Sequence, residues 1–222
     1  MELLDLIEMK NAIVTMDAMN TQRQIVSKLH QKQADYVLPV KDNQKNLHEE
    51  IKDYFSYMNK QHPNVVANST YSEVDAGHGR IEQRTYRQLL VSELIPEAEK
   101  WAGIRSVIEV VRQRELKGKE ETELLYYVSS LPINLPLLSD TIRGHWEVEN
   151  KAHYVLDVTY REDGSRIRRE NAAENIAVAR RFALNLARLH PKKDSMKGKL
   201  KQAMWSDNFR DQLIVGHNEV KV

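Results

Sequence analysis

The N-terminal part of the chain alternates apolar runs with polar stretches. Residues 3–11 have apolar side chains at helical spacing and predict a short helix that ends at its asparagine. The apolar run of residues 12–16 predicts a buried strand, and Asp35–Val40 predicts a second one. Between them, Thr21 is a predicted N-cap for a helix that runs to about Gln31. A strand, a helix and a strand in this order predict two parallel strands of an α/β sheet.

The middle of the chain changes from helical to strand-like periodicity. Residues 44–60 place apolar side chains on one stripe and predict a helix, and residues 61–70 are polar and predict a loop. Four β-rich segments follow with turn residues between them, which favours an antiparallel arrangement. The predicted strands are Tyr71–Val74, Arg80–Leu90, Ser106–Arg114 and Thr122–Ser129.

The C-terminal third returns to helical spacing. A helix is predicted from Leu137 to about Val158, then a turn at residues 163–165 and a helix from Glu174 to His190. A basic loop is predicted for Lys192–Lys201 and a short helix for Gln202–Ile214. Five side chains of the predicted helix Glu174–His190 are expected to face the core: Ile176, Ala179, Phe182, Ala183 and Leu186.

Composition narrows the class of protein. The 222 residues contain no cysteine, which excludes disulfides and thiolate metal sites or nucleophiles. No apolar run approaches the roughly 20 residues that a membrane span needs, and the first residues lack the basic region of a signal peptide. A cytoplasmic protein with no membrane partner is therefore expected.

Charge is unevenly distributed although the net charge is only +1. Residues 161–222 contain 14 Lys and Arg against 8 Asp and Glu, a net charge of +6, whereas residues 1–160 contain 19 against 24, a net charge of −5. A basic C-terminal segment is compatible with a surface that contacts a phosphate backbone. Ordinary solvated helix faces are the alternative explanation.

Asp17 follows an apolar strand directly. Parallel sheets commonly place functional groups at the carboxyl ends of their strands, and a carboxylate there is a hard oxygen ligand of the kind that Mg²⁺ prefers. The alternative interpretation is an N-cap or a loop aspartate.

Glu149 lies four residues after His145 and four before His153. This spacing predicts that the three side chains share one helix face. The pattern lacks the His-Glu-x-x-His order of a metalloprotease, so a zinc-like cluster or a solvated helix face are both alternatives. Trp146 beside them is interpreted as a core residue.

Two basic segments could contact phosphates. Residues 78–84 would present Arg80, Glu82 and Arg84 on one strand face, and exposed ion pairs are the alternative there. The turn of residues 161–169 contains several arginines just after the Glu149 helix and could hold a DNA backbone.

These segments, taken together and in order, resemble the DDE-type transposases of bacterial insertion sequences in the ISAs-one family, also called H-repeat-associated proteins. The resemblance covers nearly the whole chain. The matching segments are residues 13–19, 34–44, 78–84, 145–163 and 175–181.

The resemblance implies an α/β fold with an RNase H-like catalytic core and a β-rich antiparallel insertion before the last catalytic helix. The implied domains are a partial core (1–70), the insertion (71–132), and a C-terminal helical part of the core with a basic tail (133–222). It implies Asp17 and Glu149 as catalytic and metal-binding residues, Mg²⁺ or Mn²⁺ as the cofactor, and DNA (transposon ends and target) as the partner. The residues expected to contact DNA are His78, Arg80, Arg84, His145, His153, Arg161, Arg166 and Arg168.

One element of the family pattern has no counterpart in this sequence. The family's first catalytic aspartate stands in an Asp-Gly-Lys-like segment, and nothing here matches it. The expectation is therefore an N-terminally truncated, inactive copy of a transposase. The alternatives are a non-catalytic remnant that binds DNA, itself or a full-length transposase, and an unrelated metal hydrolase that uses Asp17 and Glu149.

Overall fold

The computed structural model describes residues 2–77, 80–116, 119–148 and 154–215. Within them the chain forms two compact units, divided between His145 and Trp146. We call residues 1–145 the sheet unit and residues 146–222 the helical unit. The described helices are α1 (Glu2–Leu6), α2 (Arg23–Gln31), α3 (Lys45–Gln61), α4 (Pro63–Asn68), α5 (Leu135–Val148), α6 (Tyr154–Tyr160), α7 (Ala172–Leu189), α8 (Met196–Trp205) and α9 (Asp207–Val215).

Six strands of the sheet unit form one sheet in the order β1-β2-β6-β5-β4-β3. β1 and β2 are parallel, as the strand–helix–strand pattern predicts, and every other neighbouring pair is antiparallel. The strands are β1 (Ile13–Val14), β2 (Asp35–Val40), β3 (Thr70–Gly77), β4 (Arg80–Leu90), β5 (Ser106–Leu116) and β6 (Lys119–Ser129). The mixed α/β architecture is confirmed, and the strands of the predicted insertion share this sheet with β1 and β2.

The two faces of β2 serve different partners because alternate side chains point to opposite faces of a strand. Tyr36, Leu38 and Val40 belong to the main core, together with the buried side chains of α2 and α3. Val37 and Pro39 lie on the opposite face, in a small cleft that they share with Ile142 of α5. Helices therefore cover both sides of the sheet at β2.

Two local predictions for the sheet unit were wrong. α2 begins after Gln22, and the Thr21 hydroxyl does not cap it; that hydroxyl donates instead to the Pro39 carbonyl at 2.7 Å. The polar stretch of residues 61–70 contains helix α4, with Pro63 in its first turn. Proline is tolerated there because backbone N–H groups in the first turn of a helix make no hydrogen bond within the helix.

The helical unit also departs from two predictions. Residues 196–201, predicted as part of a solvated basic loop, belong to α8. Lys199 within it is buried, and its ammonium group donates to the carbonyls of Ala187 and His190 at 2.7 and 2.9 Å. These carbonyls lie at the C-terminal end of α7, so Lys199 satisfies acceptors that a helix leaves without an internal partner.

The inward face of α7 is shifted from the predicted one. Ala179 and Phe182 are exposed, and Leu184 and Ala187 are buried in their place. The helix predicted for residues 137–158 corresponds to α5 and α6, and residues 149–153 lie outside the described residues. The helix predicted for residues 202–214 is divided between the end of α8 and α9.

Candidate active site

Asp17 lies three residues beyond the end of β1, at the carboxyl edge of the parallel pair β1–β2. Its side chain is 76% exposed. By position it is the N-cap of a short 3-10 helix, Ala18–Asn20, but its side chain makes no capping hydrogen bond. The carboxylate is thus not used to cap the helix, and the N-cap alternative does not account for it.

His145 on α5 bridges the segment that contains Asp17. Its Nε2 lies 3.3 Å from Asp17 Oδ1, and its Nδ1 lies 3.1 Å from the Thr15 hydroxyl oxygen. Leu138 and Ile142 of α5 are both buried, and Ile142 lines a cleft together with Val37 and Pro39 of β2. The bridge therefore joins the segment after β1 to a helix that has buried side chains on the same side of the sheet.

A small cleft lies beneath this bridge. Its walls are mostly apolar, whereas the Asp17 end of the bridge is exposed to solvent. The residues that line it are Thr15, Met16, Val37, Pro39, Tyr127, Ile142 and His145.

The loop after β2 braces the backbone on the other side of Asp17. The Asn43 side-chain amide donates to the Ala18 carbonyl at 2.7 Å, and the Gln44 amide donates to the Thr21 carbonyl at 3.0 Å. Together with the Thr21–Pro39 bond, these contacts tie the segment that follows Asp17 to the end of β2. The backbone that carries the carboxylate is therefore held by neighbours from two elements.

Three of the predicted site residues, His78, Glu149 and His153, lie outside the described residues. Arg80 is the first residue of β4, and its side chain is likewise outside the description. The structure brings together Asp17 and His145 from the predicted set.

The residues present fit a hard cation in part. Asp17 offers an exposed carboxylate oxygen of the type that Mg²⁺ and Mn²⁺ prefer. Among the described residues, no three His, Asp or Glu side chains are grouped so that they could hold a metal ion. Asp17 can therefore supply one ligand, and a complete site requires further carboxylates.

Arg84 lies on a face of the sheet where charged side chains from neighbouring strands form ion pairs. The Arg84 side chain is 18% exposed and pairs with Glu73 and Glu82, and Glu82, which is buried, also pairs with Arg114 at 3.0 Å. Arg143 of α5 lies 3.2 Å from the second oxygen of Glu73, and this carboxylate raises the pKa of Arg143. Glu82 and Arg84 are therefore ion-paired, and their pairs are largely buried instead of exposed.

The basic turn of the helical unit is more open. Arg161, Arg166 and Arg168 are all exposed. Arg161 has a positive φ of 53°, and Arg168 donates to the carbonyls of Ser165 and Ile167. The turn thus presents three guanidinium groups to solvent on a backbone that the Arg168 contacts help to fix.

Thr15 was missed by reasoning from the sequence. It precedes Asp17 by two residues, and side chains two residues apart in an extended segment point the same way. That spacing is the signal that could have paired Thr15 with Asp17. The bracing amides of Asn43 and Gln44 follow β2 directly and had no comparable signal.

Comparison with known proteins agrees with these observations. Residues 1–186 match the family described as "Transposase DDE domain". The chain is 34% identical to "Putative transposase YncI" of Escherichia coli O157:H7, with 99% of this chain and 57% of that protein covered. It is 32% identical to "H repeat-associated putative transposase YhhI" of Escherichia coli strain K12, with 97% of this chain and 58% of that protein covered.

The chain therefore belongs to the DDE transposase domain family, and the resemblance to H-repeat-associated transposases is confirmed. It spans 57 to 58% of the length of these curated relatives. Within the described ranges, no helix is both long and apolar enough to cross a bilayer.

Proposed function

We propose that this chain is the part of a transposase that contributes Asp17 and Glu149 to metal-dependent DNA cleavage and strand transfer. The observation that carries the proposal is the placement of Asp17 at the carboxyl end of β1, bonded to His145 of α5. Glu149 follows His145 by four residues in the sequence, which is the spacing of about one helical turn. Membership of the DDE transposase domain family supports the same reaction.

In this proposal the sheet is an RNase H-like core, and β3–β6 are an insertion that extends it. Asp17 and Glu149 would hold Mg²⁺ or Mn²⁺. When bound, a pair of such ions would activate water or a DNA 3′-hydroxyl and stabilise the leaving oxygen. The chain's own residues do the positioning: Asn43, Gln44 and Thr21 fix the backbone beside Asp17.

The proposed DNA contacts are Arg161, Arg166 and Arg168, because all three residues are exposed and can approach a phosphate from solvent; Arg168 also donates to two carbonyls of its own turn. His78, Arg80 and His153 are proposed on the sequence alone. Arg84 and His145, predicted for the same role, already have intramolecular partners.

We further propose that residues 1–222 by themselves do not complete transposition. The resemblance assigns no residue of this sequence to the family's first aspartate, and a site with two of three carboxylates should bind its metal weakly. The test is an assay of Mn²⁺- or Mg²⁺-dependent strand cleavage with the purified chain on supercoiled DNA. Robust cleavage that Glu149→Ala abolishes would overturn this part of the proposal and support an active enzyme.

The function itself is tested by metal and DNA binding in parallel. Mn²⁺ binding, measured by loss of the free-ion electron paramagnetic resonance signal, should fall in Asp17→Asn and in Glu149→Gln. Asp207→Asn is a control, because this aspartate lies in the helical unit and pairs with Arg210. Equal Mn²⁺ binding by all four proteins would refute the metal role of Asp17 and Glu149.

A second candidate function is a non-catalytic one, in which the chain binds DNA, itself or a full-length transposase. The net charge of +6 in residues 161–222 and the exposed arginines of the basic turn favour it. DNA binding that depends steeply on salt and is unchanged in Glu149→Gln, without Mn²⁺ binding, would favour this function over the first.

A further inference from the structure

We infer that His145 is a positioning residue that orients the Asp17 carboxylate, instead of a residue that contacts DNA. The inference rests on the proposed function, because it assigns Asp17 as a metal ligand. It adds a role for His145 and Thr15 that the spacing of the acidic residues does not supply.

The carboxylate fixes the direction of the bond between His145 and Asp17. A carboxylate can only accept, so the Nε2 of His145 donates to Asp17 Oδ1 across 3.3 Å. The Thr15 hydroxyl can then donate to Nδ1 across 3.1 Å. A neutral imidazole with its proton on Nε2 satisfies both contacts at once.

This bridge restricts a side chain that would otherwise move freely. The Asp17 side chain is 76% exposed, on a segment beyond the end of β1. His145 is 31% exposed and stands on α5, whose Leu138 and Ile142 are buried and whose Ile142 lies beside Val37 and Pro39 of β2. Tying the carboxylate to this helix removes rotamers that point away from the site, so less conformational freedom is lost when a cation binds.

The geometry also leaves the carboxylate able to act as a ligand. Oδ1 accepts the bond from His145, and the exposed carboxylate has a second oxygen that can bind a cation. Hydrogen bonds to a ligating carboxylate are typical outer-shell contacts, and their loss usually reduces metal affinity or activity by roughly 10- to 100-fold.

A role in phosphate binding competes with this arrangement. Both ring nitrogens are engaged inside the sheet unit, by Thr15 and by Asp17. A phosphate could accept a hydrogen bond from Nε2 only by displacing the carboxylate. The Nε2 of His145 can therefore bond either to Asp17 or to a phosphate, but not to both.

The test is a set of substitutions that separates the two ring nitrogens. The amide nitrogen of His145→Gln can occupy a place near that of Nε2, whereas the amide of His145→Asn ends near that of Nδ1. His145→Phe keeps the ring and removes both contacts. Mn²⁺ affinity of the full 222-residue chain, measured by electron paramagnetic resonance, should fall roughly 10- to 100-fold in the Asn and Phe variants. It should remain within a few-fold of the parent in the Gln variant.

Thr15→Val is the matched control at the other end of the bridge. It preserves the shape of the side chain and removes the donor to Nδ1, so a smaller loss of Mn²⁺ affinity is expected, of a few-fold. Circular dichroism of every variant shows whether it is folded. The comparison of Gln with Asn remains informative if the Phe variant does not fold.

The outcomes separate failure of this inference from failure of the proposed function. If Asp17→Asn does not reduce Mn²⁺ binding, the metal role of Asp17 is wrong and this inference fails with it. If Asp17→Asn reduces binding but the Asn and Phe variants of His145 match the parent, only the positioning role is wrong. DNA affinity lowered by all three His145 variants at unchanged Mn²⁺ affinity would instead assign His145 to DNA contact.

Discussion

Replacing Gly103 with alanine should destabilise the sheet unit, whereas the same replacement at Gly144 should stabilise it. Gly103 has a φ of +73°, a conformation that residues with a side chain rarely adopt, and an added β-carbon would lie 2.7 Å from His30 Nδ1. Gly144 lies within α5, and a β-carbon there would meet nothing within 4 Å.

The structure sets the size of both effects. The left-handed conformation costs an L-residue about 1–2 kcal/mol. His30 is exposed, so its ring can rotate away, and the backbone term should dominate at Gly103. In the middle of a helix, alanine is favoured over glycine by roughly 0.5–1 kcal/mol. The two variants should therefore differ in free energy of unfolding by about 2 kcal/mol.

Urea denaturation followed by far-UV circular dichroism and by tryptophan fluorescence is the assay. Two compact units need not unfold together, so both signals are fitted separately. Gly103→Ala is also measured in a His30→Ala background, where the contact with the ring is absent. The reasoning is refuted if Gly103→Ala leaves the unfolding midpoint unchanged, or if Gly144→Ala lowers it as much. A cost that disappears in the His30→Ala background would assign the effect to the ring and not to φ.

Three further predictions concern buried charges and the basic turn. Lys199→Met should destabilise the helical unit by about 1–3 kcal/mol in thermal or urea melts, because two carbonyls lose their donor; the exposed Lys197→Met should not. Glu82→Gln should lower the stability of the sheet unit by about 1–3 kcal/mol, since Arg114 loses its carboxylate partner at a buried site while Arg84 keeps Glu73; unchanged melts would contradict this. Arg166→Gln should reduce the slope of log affinity for DNA against log salt by about 1, whereas Arg84→Gln should lower stability and leave that slope unchanged.

Strands with strong local signals were predicted well from the sequence. β2 has the predicted bounds, Asp35–Val40. A strand in a sheet that is covered on both faces has apolar side chains on both sides, so it is visible in the sequence as a short apolar run between polar residues. β4 also has its predicted bounds, and β5 and β6 extend two or three residues beyond the predicted ones towards their turn. Strand alternation and turn residues depend on residues that are close in sequence, so these strands could be predicted without knowledge of the tertiary contacts.

Features that depend on distant partners were not predictable in the same way. Thr21 has the residue type of an N-cap, but a carbonyl of β2 takes its hydroxyl. The buried position of Lys199 requires the end of α7 to lie beside α8, which no local pattern encodes. Likewise α7 contains more apolar residues than one face can bury, so packing within the helical unit selects Leu184 over Phe182.

In the candidate site, too, the local feature was predictable from the sequence and the long-range contact was not. The sequence places Asp17 at a strand end because the strand itself is evident. The bridge from His145 to Thr15 and Asp17 depends on how α5 lies on the sheet, about 130 residues later in the chain. The sequence shows that His145 has the spacing of a helix face, but it does not show that this face lies against Thr15 and Asp17.

The pairing of β2 with β6 has a consequence for synthesis of the protein. Val37 pairs with Ser129, so β2 leaves the ribosome about 90 residues before the strand that covers its free edge. At typical elongation rates that interval lasts roughly 5 to 20 seconds. During this time an apolar strand edge is available to other chains, which is a known route to aggregation. The nascent chain should therefore depend on chaperones more than a protein of the same size with local strand pairing.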